Sequence, residues 1–245
     1  MAVILPAPYR RPTPIAYHEL ILGHSNLDGY WRMEEESGTT LEDASQQSRD
    51  LTFTGTGFTL AQDSPAIGYG VALSLSGALA STASLPGGDD DGVSIEAWLS
   101  YSQSATATVV VKGSISQFSW GLYAISGKPR GTLWDTSGKQ HSVLATASKN
   151  DQEWHHVVVT IAKTNPIVMR LYIDGEEDAV STLSSGIVMR DPATAAGDRF
   201  QIGGWLNSNV NPDQQYVGLI DEVAIYKGVL SSEDVKRHYN VGTGA

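Results

Sequence analysis

Residues 153–161 read EWHHVVVTI and residues 168–175 read VMRLYIDG, with Asn165 and Pro166 between them. Two runs rich in β-branched and aromatic residues flank an Asn/Pro break, and the second ends in the turn pair Asp174-Gly175. This pattern specifies a long antiparallel hairpin followed by a tight turn. Most of the remaining chain reads as further strands stacked around it.

The clearest of those strands is residues 93–101, VSIEAWLSY. Period two puts Val93, Ile95, Ala97 and Leu99 on one face and Ser94, Glu96, Trp98 and Ser100 on the other. Residues 29–34 give a first strand, with Tyr30 and Arg32 on the face opposite Trp31 and Met33. Residues 51–55, 71–77, 108–113, 120–125, 131–135, 200–204 and 218–226 follow with Gly-containing or polar breaks between them. His18–Leu22 is expected to form a helical turn at most. One full helix is expected, at the end: Ser231 is a good N-cap with Asp234 three residues on, and Val235, His238 and Tyr239 share a face. Many short strands with so little helix predict an all-β fold, a two-sheet antiparallel jelly-roll sandwich with one short C-terminal helix.

The chain divides into residues 1–19, an arm with Pro6, Pro8, Pro12 and Pro14, and residues 20–245, one sandwich domain. Prolines at that density favour extended, polyproline-like chain. The arm is read as a docking segment for a partner, with Tyr9, Arg10, Arg11 and Tyr17 as its contact residues. With 245 residues the chain can bury a sizeable core. It has no cysteine, which excludes disulfides, thiolate metal sites and a cysteine nucleophile. A net charge of −11 argues against binding a nucleic-acid backbone and favours Ca²⁺ as a cation partner. No apolar run is long enough to insert in a membrane. Pro6 and Pro8 interrupt the N-terminal apolar stretch, and Arg10 and Arg11 follow it, which is not the pattern of a secretory signal.

Residues 29–45, GYWRMEEESGTTLEDAS, resemble the opening strand and loop of laminin G-like domains of the concanavalin A-like superfamily. Further signatures agree in order: SIEAW at 94–98, EWHHV at 153–157, LYIDG at 171–175, GLIDEVAIY at 218–226 and LSSEDV at 230–235. The resemblance spans roughly residues 20–242. It implies two antiparallel sheets in a jelly roll, and a range of functions that includes glycan binding, protein binding and service as tail or capsid accessory proteins of bacteriophages. It also implies a structural Ca²⁺ between the loop after the first strand and the last strand, with Asp43 and Asp221 at the acidic positions. The loop departs from the family pattern, reading DASQQSRD over residues 43–50, without its glycines and with Arg49 added. Either Asp50 completes the ion's ligands, or Arg49 pairs with a carboxylate and the site is lost.

Some relatives are glucanases, but the paired carboxylates of that chemistry, about 5–5.5 Å apart for retention and about 6.5–9.5 Å for inversion, are not expected here. Asp221 and Glu222 are adjacent and should point to opposite faces, Glu34–Glu36 border a turn, and Glu96 is alone on its strand face. His155 and His156 diverge for the same reason and cannot chelate one ion together. No catalytic residue is assigned. Trp134 beside Asp135, and Trp205 ahead of Asn207, Asn209, Asn211 and Gln214, are the candidate glycan-binding residues. The expectation is a non-enzymatic virion accessory protein that joins other virion proteins through its arm, forms a homo-oligomer there and binds surface glycans. The alternative is a secreted carbohydrate-binding module.

Overall fold

A computed structural model of the chain describes residues 16–64, 71–83, 91–114, 117–190, 198–206 and 212–245. The arm residues Tyr9, Arg10 and Arg11 and the loop residues Asn207 and Asn209 lie outside these. In chain order the elements begin with helix α1 (Tyr17–Leu22) and strands β1 (Leu27–Trp31), β2 (Thr40–Leu41), β3 (Leu51–Thr54), β4 (Phe58–Asp63), β5 (Val71–Ser76) and β6 (Leu79–Thr82). Next come β7 (Gly92–Tyr101), β8 (Ala107–Ser114), β9 (Gln117–Ile125), β10 (Lys128–Trp134), β11 (Gln140–Leu144) and β12 (His155–Ala162). The chain closes with β13 (Val168–Ile173), β14 (Glu176–Thr182), β15 (Arg199–Ile202), β16 (Trp205–Leu206), β17 (Pro212–Asp213), β18 (Val217–Lys227) and helix α2 (Ser232–Thr243).

The strands form two 8-stranded antiparallel sheets, the sandwich expected from sequence. The first runs β14-β13-β12-β7-β18-β5-β4, with β1 also paired to β18. The second runs β11-β10-β9-β8-β15-β6-β3-β2, and β16 and β17 make a separate ribbon. The hairpin of β12 and β13 pairs from Ala162↔Val168 to Val157↔Ile173. The turn into β14 is made by Asp174 (φ 53°) and Gly175 (φ 81°). Two consecutive positive φ values are the twist a two-residue hairpin needs, which is why Asp-Gly occupies it. A Cβ at Gly175 would also come within 2.9 Å of the Tyr239 ring of α2, so glycine is required there twice over.

The core between the sheets takes Val93, Ile95, Ala97 and Leu99 from β7, as the alternation predicts, with Val157, Val159 and Ile161 from β12 and Trp120 and Leu122 from β9. All ten residues of β7 are nevertheless buried. Its other face lies beneath α1 and α2, where Tyr17, Ile21, Trp98, Val158, Tyr226 and Val235 form a second apolar cluster. Each large side chain buried there contributes roughly 1.5–3 kcal/mol, enough to hold short helices that would not persist alone. The capping box of α2 forms as expected, with Ser231 Oγ accepting from Asp234 N at 3.1 Å and Asp234 Oδ2 accepting from Ser231 N at 3.2 Å.

Helix α1 corrects two expectations. Residues 17–22 make a six-residue helix packed on the sheet, beyond the single turn anticipated. Tyr17, assigned to partner docking, is buried and donates its hydroxyl to Glu96 Oε1 at 2.8 Å. It is a piece of the domain's own second core and is not available to a partner.

Candidate functional site

The outer face of the second sheet carries an open cavity of about 280 Å³. Its walls include Phe118, Tyr123, Arg130, Trp134, Gln140 and Trp205. The sheet register explains why these meet. Tyr123 stands opposite Arg130 across β9 and β10, and Trp134 stands opposite Gln140 across β10 and β11. Leu122 and Leu133, their odd-and-even neighbours, point into the core. Trp205 arrives from the β16–β17 ribbon. Gly203 N donates to Val109 O at 2.8 Å and Leu206 N to Gln201 Oε1 at 2.8 Å, which ties the ribbon to β8 and β15.

The aromatic rings interlock. Phe118 lies 5.1 Å from Trp134 and 5.1 Å, edge to face, from Trp205. The Arg130 guanidinium lies over the Tyr123 ring at 5.7 Å. Trp134 and Trp205 are half-buried and both line the cavity. Rigid aromatic walls with a few polar ends are what a concave small-molecule site needs, and the volume sits near the lower end of the usual range. The two tryptophans singled out from sequence are thus brought to one place, together with Gln214. Asp135 is not part of it: its Oδ1 accepts from Ser137 N and Lys139 N, and its Oδ2 bonds His141 Nε2 at 2.8 Å, so the carboxylate builds the turn between β10 and β11. The sequence reading missed Phe118, Tyr123 and Arg130.

The residues expected to hold Ca²⁺ are not assembled as a ligand set. Asp43 Oδ1 accepts from Tyr30 N and Ser45 N, and Oδ2 from Arg49 N, each at 2.9 Å. Asp50 Oδ1 accepts from Asp43 N at 2.9 Å. Asp221 accepts from Ser64 Oγ and from Glu222 N. The Arg49 guanidinium, the positive charge added to this loop, pairs with Asp28 at 3.1 Å. Among the described residues no group of three or more His, Asp or Glu is placed to hold an ion. Asp43 and Asp221 thus place both carboxylate oxygens in hydrogen bonds within the fold.

The other concentration of ionisable groups is the helix-covered face of the first sheet. His155 and His156 diverge as expected: His155 bonds Asp174 at 2.8 Å, and His156 bonds Glu96 at 2.7 Å. Glu96 also accepts from Tyr226 Oη at 2.7 Å and from His238 Nδ1 at 3.0 Å. Burial opposes its ionisation, but the charge of His238 and the hydrogen bonds of His156 and His238 hold its carboxyl well below the usual range. Asp221 and Glu222 do not point to opposite faces. A β-bulge between Asp221 and Ala224, with Glu222 at φ 51°, breaks the alternation. Asp221 stands opposite Trp98, and Glu222 accepts the Tyr30 hydroxyl, both within the helix-side cluster. Burial, helped by the charge of Glu222, raises Asp221. Burial pushes Glu222 up to about 8 against the Tyr30 hydrogen bond and the charge of Arg32. All three carboxylates are at most 1% exposed.

The receptor-binding domain of botulinum neurotoxin D superposes with a TM-score of 0.63 at 19% identity, over 88% of this chain and 52% of that one. The binding domain of Paraclostridial Mosquitocidal Protein 1 gives 0.62 at 15% identity, over 88% and 52%. A botulinum neurotoxin serotype D ligand-binding domain in complex with N-acetylneuraminic acid gives 0.62 at 17% identity, over 88% and 50%. The chain spans about half the length of these structures, and at such identities the likeness establishes the fold alone. No curated protein matches it. A laminin G family model, described as Concanavalin A-like lectin/glucanases superfamily, matches residues 76–236, from the end of β5 into α2. With most of the sandwich inside that match, the chain belongs to the concanavalin A-like lectin/glucanases superfamily.

Proposed function

We propose that this protein is a non-catalytic binding domain that takes a carbohydrate in the Trp134–Trp205 cavity. The observation that carries the reading is the convergence of Phe118, Trp134 and Trp205 around one open space with Arg130, Gln140 and Gln214 at its edges. Sugar rings present apolar C–H faces that pack on aromatic rings and hydroxyls that pair with amide and guanidinium groups. A family of lectins and glucanases, and a structural neighbour that holds N-acetylneuraminic acid, support the same reading. The cavity has no carboxylate among its described lining residues, and Glu96, Asp221 and Glu222 are buried in the first sheet, away from it. Glycoside hydrolysis needs two carboxyl groups flanking the substrate.

Trp134→Ala is expected to weaken glycan binding by at least about tenfold, as loss of a central aromatic anchor does. Trp205→Ala should act in the same direction. A glycan array followed by calorimetry on the best ligand checks this, and binding that survives both substitutions would overturn the assignment.

The setting we propose is a virion, with the domain joined to other virion proteins through the proline-rich segment ahead of α1. The motif resemblance to phage tail and capsid accessory proteins supports it. Because Tyr17 belongs to the folded domain, the clean deletion is residues 1–15. It should abolish incorporation into particles and leave the melting midpoint unchanged. Incorporation at the full-length level would remove the docking role.

A further inference from the structure

Arg130 supplies the single positive charge among the described lining residues of the cavity, and none of those residues is acidic. It is half-buried, yet it makes no ion pair and no side-chain hydrogen bond among the described residues, and its Nε has no acceptor. The guanidinium has given up part of its water without gaining a carboxylate, and burial lowers its proton affinity accordingly. Its one charge-related contact is with the Tyr123 ring. The N–H donors of a guanidinium lie in its own plane, and here Nε has no acceptor among the described residues. The edge of a guanidinium matches the planar fork of a carboxylate, two parallel N–H···O bonds at once.

We propose that the cavity selects sugars that carry a carboxylate, with Arg130 as the residue that sets this specificity. The inference rests on the carbohydrate reading above and narrows its ligand class to uronic or sialic acids. Tyr123 fixes the guanidinium in place, the Phe118, Trp134 and Trp205 rings take the apolar face of the ring, and Gln140 and Gln214 pair with hydroxyls. The chain's net charge of −11 is spread over the surface, where charges beyond about 8–10 Å are largely screened at physiological salt; Asp213, opposite Trp205, is an acidic neighbour but does not line the cavity.

The experiment uses matched ligand pairs on the full chain: a uronate-containing oligosaccharide and its carboxyl-reduced form, a sialylated glycan and its asialo form, and a sulfated neutral sugar. Wild-type protein is expected to bind each carboxylated member about tenfold or more tighter than its neutral mate, the usual worth of a charge-assisted hydrogen bond. Arg130→Met, which keeps a stem to lie on Tyr123, should bind both members of a pair equally and as weakly as wild type binds the neutral one. Arg130→Lys should retain part of the preference, since it keeps charge without the fork. Melting midpoints of both variants report whether they fold, and the ligand pairs test the proposal on the wild-type chain regardless. Equal binding within each pair that is still lost in Trp134→Ala would overturn the carboxylate specificity and leave the carbohydrate reading standing. Preference for the sulfated sugar alone would overturn it too. No binding of any ligand would remove both readings.

Discussion

Replacing Glu96 with alanine is expected to destabilise the fold by about 3–5 kcal/mol, the range for removing one partner of a buried ionic cluster. Glu96 is fully buried and accepts hydrogen bonds from Tyr17, His156, Tyr226 and His238. Its loss strands two hydroxyls and two imidazoles in a site sealed by α1 and α2, and leaves His238 without the charge that holds its proton. Burial lowers the pKa of His238, and the charge and hydrogen bond of Glu96 more than reverse that. Glu96→Gln should cost less, because the amide oxygen still accepts a hydroxyl proton. Urea unfolding at pH 6 measures both. An unchanged midpoint for the alanine variant would show that the cluster contributes nothing to stability. Amide exchange should show α2 loosening first, since His238 is its buried polar tie to the sheet, Lys236 to Glu176 being an exposed one.

Stability is expected to fall as pH rises from about 5 to about 8. Glu222, with a folded pKa near 8, and Asp221, also raised, keep protons in the folded state that the unfolded chain releases above about 4.5. Where the native state binds more protons, stability drops with pH, and the stabilisation is lost as pH passes through the folded pKa. His238 and His155, both raised, add the same sign above about pH 6.5. Glu96, held low, acts oppositely: its contribution is present above about pH 4.5 and is lost only as pH falls through its folded value. The maximum therefore lies in mildly acidic solution. Each pH unit over which Glu222 stays protonated only in the folded state is worth about 1.4 kcal/mol, so it accounts for roughly a few kcal/mol of the slope. Glu222→Gln keeps an acceptor for Tyr30 and should flatten the profile and raise stability at pH 8. Urea midpoints at pH 5, 6.5 and 8 test this. A wild-type midpoint that climbs over that interval would refute it.

The sandwich is legible in the sequence because its signals are local. Period two along residues 93–101, the Asp174-Gly175 turn and the Ser231/Asp234 cap each act within a few residues, and each is found as read. Half of the cavity was legible in principle. Ser126 and Gly127, both at positive φ, form a two-residue turn that sets Ile125 opposite Lys128. Counting back from that turn puts Tyr123 opposite Arg130 on the outer face. Trp205 meets them only through a ribbon hung on β8 and β15, which no spacing announces. The helix-covered cluster was hidden for a similar reason. The partners of Glu96 stand 60 to 142 residues away in sequence. The positive φ of Glu222 is a conformation that tertiary packing imposes on a residue with no preference for it.

The two helices have a directional consequence. Glu96 gathers Tyr17 from α1 and His238 from α2, so the chain enters the described fold at Ala16 and leaves α2 at Thr243 on one side of the sandwich. The Trp134–Trp205 cavity opens from the other side, on the outer face of the second sheet. Any attachment made through the residues ahead of α1 would therefore hold the domain by its back and turn the cavity outward, toward whatever surface approaches.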